Sequence, residues 1–266
     1  MLRSMYSGIS GMKNFQTKLD VIGNNIANVN TFGYKKGRVT FKDMVSQTVS
    51  GATASGTALG GVNPKQVGLG SQLASIDIVD TQGSLQTTGR VLDLGIQGDG
   101  YFVVQKDTGS YYTRSGNFYL DNEGFLVSGS GEFVLDDTQN RIQLNGGNVN
   151  TIESMNISND GSISIVVGGA PSTAAKIGIA RFNNNAGLEK VGNNLYRETN
   201  NSGAPLTAVA GTAGAGTIVS GTLEMSNVDL SEEFTEMITA QRGFQANTRI
   251  ITTSDEILQE LVNLKR

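Results

Sequence analysis

Four asparagines, Asn24, Asn25, Asn28 and Asn30, stand within one short stretch, followed by Thr31-Phe32-Gly33-Tyr34 and the lysines Lys35 and Lys36. A primary amide offers two donors and a two-lone-pair acceptor. This run is therefore equipped to hydrogen-bond neighbouring backbone, not to break bonds. Reagents for bond breaking are scarce along the whole chain, which contains no Cys, no His and no Trp. Thiol nucleophiles, disulfides, the usual zinc sites and every His-dependent triad are thereby excluded. A serine with a lysine base, or a carboxylate pair, remains formally open, but no constellation supports either. Gly98-Asp99-Gly100 and Gly68-Leu69-Gly70 lack the following helix and the closing Lys-Ser/Thr of a phosphate loop and read as turns. Asp121-Asn122-Glu123-Gly124 lacks the spacing of a twelve-residue calcium loop and reads as a hairpin turn. Lys35, Lys36 and Arg38 are too few for a nucleic-acid footprint, and the net charge is −4. The expectation is a protein with no catalytic residue, no cofactor, no metal and no nucleic-acid partner, and hence not an enzyme.

The elements that must position the Asn-rich run can be read from periodicity. Leu2, Met5, Ile9, Met12, Phe15, Leu19, Ile22, Ile26 and Val29 recur at spacings of three and four. That spacing predicts an amphipathic helix over residues 1–29, roughly 40 Å long. Asn28, Asn30 and Gly33 suit its end, since Asn and Gly tolerate the left-handed conformation. C-capping leaves Asn24 and Asn25 unexplained. Residues 35–71 are Gly, Ser, Thr and Ala with sparse apolar residues and read as an extended connector, with one short strand near Val39–Phe41. From 72 to 225, short apolar runs are separated by turn signals such as Asn159-Asp160-Gly161, which favours an all-β sandwich or barrel. Residues 199–217 read as a long loop.

Residues 226–266 return to helix. Asp229 and Glu232 make an N-terminal cap. A seven-residue register follows, with Leu230, Met237, Phe244, Ile251 and Leu258 on one track and Phe234, Gln241, Thr248, Asp255 and Val262 on the other. Isolated amphipathic helices are marginal in water, so both apolar stripes must meet each other or copies in other subunits. Residues 1–36 hold five basic side chains and one acidic, while residues 224–266 hold four basic and eight acidic, a charge balance that favours pairing. The polar Gln241, Thr248 and Asp255 suit the setting of register in a multi-helix assembly. No apolar run approaches the roughly 20 residues of a membrane span, and no apolar segment follows Arg3 as in a cleavable signal peptide.

Three stretches carry a resemblance. "NNIANVNTFGYKK" closely resembles the N-terminal signature of the bacterial flagellar rod and hook proteins. "EMSNVDLSEEFTEMITAQRGFQANTRIITTSDEILQELVNLKR" resembles their C-terminal signature, and "LDLGIQGDGYFVVQKDTGSYYTRSGNFYLDNEGFLVSGSGEFVL" their shared β region. The resemblance implies a mixed α and β fold. Helices 1–34 and 226–266 would form a coiled-coil-like inner domain, residues 35–71 a connector and residues 72–225 a mainly β outer domain. It implies a helical tube of identical subunits, exported by the flagellar type III apparatus and located in the basal body or hook. Expected partners are other axial proteins, including rod and hook junction proteins and the hook cap, with no membrane insertion. The wording of both termini is most similar to the short hook proteins, with the distal rod protein as the alternative. A secreted β-sandwich binding module with helical oligomerisation ends is a more distant reading. Under the resemblance, the assembly surface is Leu2, Met5, Ile9, Met12, Leu19, Ile26, Leu230, Phe234, Met237, Gln241, Phe244, Ile251, Leu258 and Val262. The motif junction is Asn25, Ala27, Asn28, Thr31, Gly33, Tyr34 and Lys35.

Overall fold

A computed structural model describes residues 2–54, 60–107 and 109–264. The chain divides into two compact units, one of Met1–Ala27, Gly37–Asp77 and Asp229–Arg266, the other of Asn28–Lys36 and Ile78–Val228. The fold is mixed α and β, with a helix near each end and a β-rich body.

The first unit is a pair of long helices with small sheets. Helix α1 (Leu2–Ala27) lies antiparallel to α2 (Leu230–Leu264). The polarity follows from the contacts. Ile251 lies over Gly8, the Phe15 ring over Gly243, Lys18 pairs with Glu236 at 3.1 Å, and Asn25 reaches Glu233. Asp229 caps α2, its Oδ1 accepting the Ser231 N–H at 2.8 Å and the Glu232 N–H at 3.4 Å. Strand β1 (Gly37–Asp43) pairs with β4 (Ser71–Ile78), and Phe41 from β1 stacks edge-on against Phe15, ring centroids 6.3 Å apart. Strands β2 (Ser46–Ser50) and β3 (Lys65–Gly68) form a hairpin in which every residue is exposed. Among its described residues the expected connector thus contains β1, β2 and β3 where one short strand was read. A hairpin exposed on both faces has no alternation of apolar and polar residues, so its sequence carries no period-2 signal. Residues 55–59 of that stretch lie outside the described residues.

The second unit is antiparallel β throughout its described strands. Its main sheet runs 189–192, 195–197, 109–113, 101–106, 133–134, 126–128, 118–120, with 178–181 pairing both 101–106 and 206–209. The strand 206–209 lies inside the stretch read as a loop. Its Leu-Thr-Ala-Val is short, and pairing with 178–181 fixes it. Strand Tyr101–Lys106 explains the body. Successive side chains point to opposite faces. Phe102 and Val104 enter a large aliphatic core with Leu94, Ile163, Ile177 and Ile218, while Tyr101 and Val103 enter a second core with Tyr112, Phe182 and Tyr196. Both faces of this strand are covered, which is why its first four residues are all buried and read as a continuous apolar run.

Gly116 sits where two backbones touch: a Cβ there would fall 1.8 Å from the Leu94 carbonyl oxygen, which accepts no such approach. Gly116→Ala is therefore expected to destabilise the body by about 1–3 kcal/mol, the usual cost of overpacking. A urea midpoint unchanged from wild type would contradict this packing.

Candidate assembly junction

The Asn-rich motif is divided between the two units, and each part is held by specific bonds. In the first unit, Asn25 is 2% exposed at the last turn of α1. Its Nδ2 donates to the Gly37 carbonyl at 2.9 Å, and its Oδ1 accepts the Gly37 N–H at 3.0 Å. The same Nδ2 donates to Glu233 Oε2 at 3.2 Å. One amide thus fastens the end of α1 to the start of β1 and to the first turn of α2. No other side chain of this size donates and accepts in this way, apart from Gln with its longer reach.

In the second unit, residues 31–36 are gripped from several sides. Gly33 has φ +67°, and a Cβ there would lie 2.6 Å from the Arg114 carbonyl carbon, so only glycine fits. The Gly33 N–H donates to the Glu224 carbonyl at 2.8 Å. Asn194 donates to the Phe32 carbonyl, Lys190 to the Lys35 carbonyl, and Asn227 accepts from the Lys36 N–H. Lys190 Nζ also lies 4.5 Å from the centre of the Tyr34 ring.

At the centre is a closed charge cluster. Lys35 is fully buried. Its Nζ donates to Glu224 Oε1 at 2.6 Å and to the Thr81 carbonyl at 2.8 Å, and lies 3.8 Å from Asp80 Oδ1. Arg114 donates from Nη1 to Glu224 Oε2 at 3.2 Å and from Nη2 to the Gly98 carbonyl at 2.9 Å. The Gly83 N–H completes the set of donors to Glu224 Oε1 at 3.0 Å. Burial lowers the pKa of Lys35, and the Glu224 carboxylate acts against that shift. Tyr101 and Tyr196 pack against the cluster, and burial with the nearby Asp80 carboxylate raises both phenols.

The other expected site residues are placed as follows. Met5, Met12, Leu19 and Ile26 are half-buried on α1, Ile9 is exposed, and the side chain of Leu2 lies outside the described residues. Met237, Phe244, Ile251 and Leu258 are half-buried on α2, while Leu230, Phe234, Gln241 and Val262 are exposed. The second track of α2 is displaced by one position from the expected one. The buried residues are Glu233, Ala240 and Ser254, with Asn247 half-buried between them. Phe234 and Val262, chosen as assembly residues for their apolar character, are exposed and do not face α1. The helix pair instead buries small side chains, which permit close approach, and the one carboxylate that Asn25 can satisfy. Asn28, Thr31 and Tyr34 are half-buried and Ala27 is exposed. Asn28 Oδ1 accepts from Thr31 Oγ1 at 3.1 Å, a local bond that closes the turn. Sequence reasoning missed Glu224, Arg114, Asp80 and Glu233. The available signal was a lone charge in apolar context, as in Thr222-Leu223-Glu224 and Tyr111-Tyr112-Thr113-Arg114.

Among known proteins, three family models match: "Flagella basal body rod protein" over residues 5–35, "Flagellar hook protein FlgE/F/G D1 domain" over 95–165 and "Flagellar basal body rod FlgEFG protein C-terminal" over 219–264. The flagellar basal-body rod protein FlgG of Bacillus subtilis (strain 168) is 59% identical over 271 aligned positions that cover all of both chains. The chain belongs to the flagellar rod and hook protein family. Members of this family are structural proteins of the flagellum, assembled into its axial structure with other flagellar components. In Borreliella burgdorferi, the rod protein FlgG is 37% identical over 274 positions and the hook protein FlgE 31% over 441, each covering all of both chains. Rod relatives thus match at this chain's own length, which favours the rod alternative over the hook reading. Each of the three matched segments of this rod and hook family chain contributes one charge to the buried cluster: Lys35, Arg114 and Glu224. Among the described residues no group of three or more acidic side chains is placed to hold a metal ion, and no helix is long and apolar enough to cross a membrane.

Two predictions follow from this geometry. Asn25→Ala should cost about 1–3 kcal/mol by removing the amide's bonds to the Gly37 backbone N–H and carbonyl and to Glu233. Asn25→Asp should not restore stability, because it cannot donate and sets a carboxylate against Glu233. Urea titrations followed by helical circular dichroism decide it: equal stability of the Asp variant and wild type would refute the amide's role.

The second concerns alkaline pH. Burial, then the Glu198 carboxylate, pushes the Tyr112 phenol up to about 12 from its ordinary 10.0, and Tyr101 and Tyr196 are raised too. A group whose folded pKa is raised contributes stability that is complete below its unfolded value and lost as pH climbs through the folded one. Lys35 and Lys190 are lowered by burial and act in the opposite sense, but their contribution is complete at their ordinary 10.5. Above pH 10.5 the phenols act alone, so the urea midpoint should fall between pH 10.5 and 12. Tyr112→Phe should shrink that fall, with phenolate absorbance at 295 nm as the second readout; a midpoint flat over this range would contradict the burial of these phenols.

Proposed function

We propose that this chain is the distal rod protein of the flagellar basal body, a subunit of the rigid drive shaft, and that copies of it form an open helical tube. The observation that carries the reading is the 59% identity to a rod protein over the whole of both chains. The hook relative at 31% identity spreads over 441 aligned positions, so it carries material for which this chain has no counterpart. The remaining exposed apolar residues of α2, among them Phe234, Ile238, Ile257 and Leu261, supply surface for neighbouring copies. Partners at the tube's ends would be other axial proteins, and the route outward the flagellar type III export apparatus. The β2–β3 hairpin, with Val49 and Val67 exposed, is the element we assign to stiffening between neighbouring copies.

Electron microscopy of basal bodies from a strain lacking this gene tests the proposal. A rod truncated before its distal end is the expected result. A complete rod with no hook would make the chain a hook protein. Intact rods, hooks and filaments would remove it from the axis altogether.

A further inference from the structure

The charge cluster has a composition that matters beyond packing. It holds two cations, Lys35 and Arg114, and two anions, Glu224 and Asp80, in a site where Lys35 and Glu224 are fully closed off from solvent. The whole is neutral, and removing any single member leaves an uncompensated charge in a largely buried site. Lys35 belongs to the segment that leaves α1, and Glu224 to the segment that leads to α2, 189 residues away. The two segments are also each other's backbone partners. The Gly33 N–H donates to the Glu224 carbonyl, the Asn227 N–H to the Tyr34 carbonyl at 3.4 Å, and the Lys36 N–H to Asn227 Oδ1 at 2.8 Å. Both are further tied to the stretch 79–84: Lys35 and Asn227 both donate to the Thr81 carbonyl, Val79 N–H donates to the Lys36 carbonyl, and Met225 N–H to the Ser84 carbonyl.

We propose that this cluster is a two-ended latch: segments 31–36 and 222–227 dock on the β body together or not at all, so that order at one end of the chain enforces order at the other. If segment 31–36 lifts away, Glu224 and Asp80 are left facing a single Arg114, and the surplus anion in a desolvated site drives Glu224 out. If segment 222–227 lifts away, Lys35 and Arg114 are left with Asp80 alone, and the surplus cation drives Lys35 out. Breaking one partner of a buried ion pair is far more disruptive than removing both, because the survivor stays buried without compensation. The lost backbone bonds act in the same direction, since each segment then exposes unpaired N–H groups. The latch works alike in a rod and in a hook.

Hydrogen exchange read by mass spectrometry on the full chain tests this, with wild type, Lys35→Met, Glu224→Gln and the double variant compared. Glu224→Gln is expected to speed exchange by about tenfold or more in the peptide covering 31–37 as well as in its own segment, and Lys35→Met to do the same at 222–227. The double variant, neutral again with Arg114 facing Asp80, should exchange more slowly at both segments than either single variant. The sheet of strands 152–157, 162–167 and 170–176 serves as the internal control for a folded body. If a single variant loses protection there too, Glu224→Asp replaces it, keeping the charge while shortening the reach, and it should loosen both segments in parallel. Loosening confined to the mutated segment, or a double variant as loose as the sum of the singles, overturns the latch.

Discussion

A lysine with no exposed surface constrains everything around it. Lys35 can be closed off only where a carboxylate meets it, and Glu224 can be closed off only where enough donors meet its two oxygens. The fold meets both demands at one point. Glu224 receives Lys35, Arg114 and the Gly83 amide, while Lys35 spends its remaining reach on the Thr81 carbonyl. The geometry is specific because each oxygen has its own donors. Gly33 then becomes obligatory, since its positive φ and the Arg114 backbone pressed against it leave no room for a side chain. One buried ion thus dictates the path of the chain on either side of it.

The helix pair obeys the same logic on a smaller scale. Glu233 is 5% exposed on α2, a position where an unpartnered carboxylate would be costly, and Asn25 provides its amide. The rest of the buried face of α2 is Ala240 and Ser254, too small to supply much apolar area. Such a seam sets the helices close together and in one register. Beside it Ile251 lies over Gly8 and the Phe15 ring over Gly243, while Phe234, Ile238 and Ile257 stay exposed, so the apolar surface of the helices is only partly spent on each other.

That division explains what the sequence could and could not disclose. The helices announced themselves through spacings of three and four, and the body through turn residues between short apolar runs, because those periodicities come from burial of one face. Strand Tyr101–Lys106, buried on both faces, still stood out as a continuous apolar run. The β2–β3 hairpin is buried on neither face and had no periodicity to read. On α2 an apolar criterion selects Phe234, whereas the face turned to α1 buries its neighbour Glu233. The motif residues around Asn25 and Lys35 were legible as a junction, but their partners were not. Asp80, Arg114 and Glu224 are ordinary charges in a linear sequence, and only the folding of distant segments onto one another makes them a closed set.

The exposed residues of α2 bear on how copies meet. Leu230, Phe234 and Ile238 follow one another at intervals of four and make one exposed stripe in the first turns. Ile250, Ile257, Leu261 and Leu264 make another further along. At 3.6 residues per turn, the 20 residues from Leu230 to Ile250 rotate the second stripe by roughly half a turn relative to the first. The half-buried track toward α1 lies between them. A single neighbour on one side of the helix can cover one stripe and must leave the other in water. A two-fold dimer, whose interface is the same patch twice, has this defect. Covering both stripes takes contacts on two sides of the helix, which neighbours related by a repeated, non-closing step would supply.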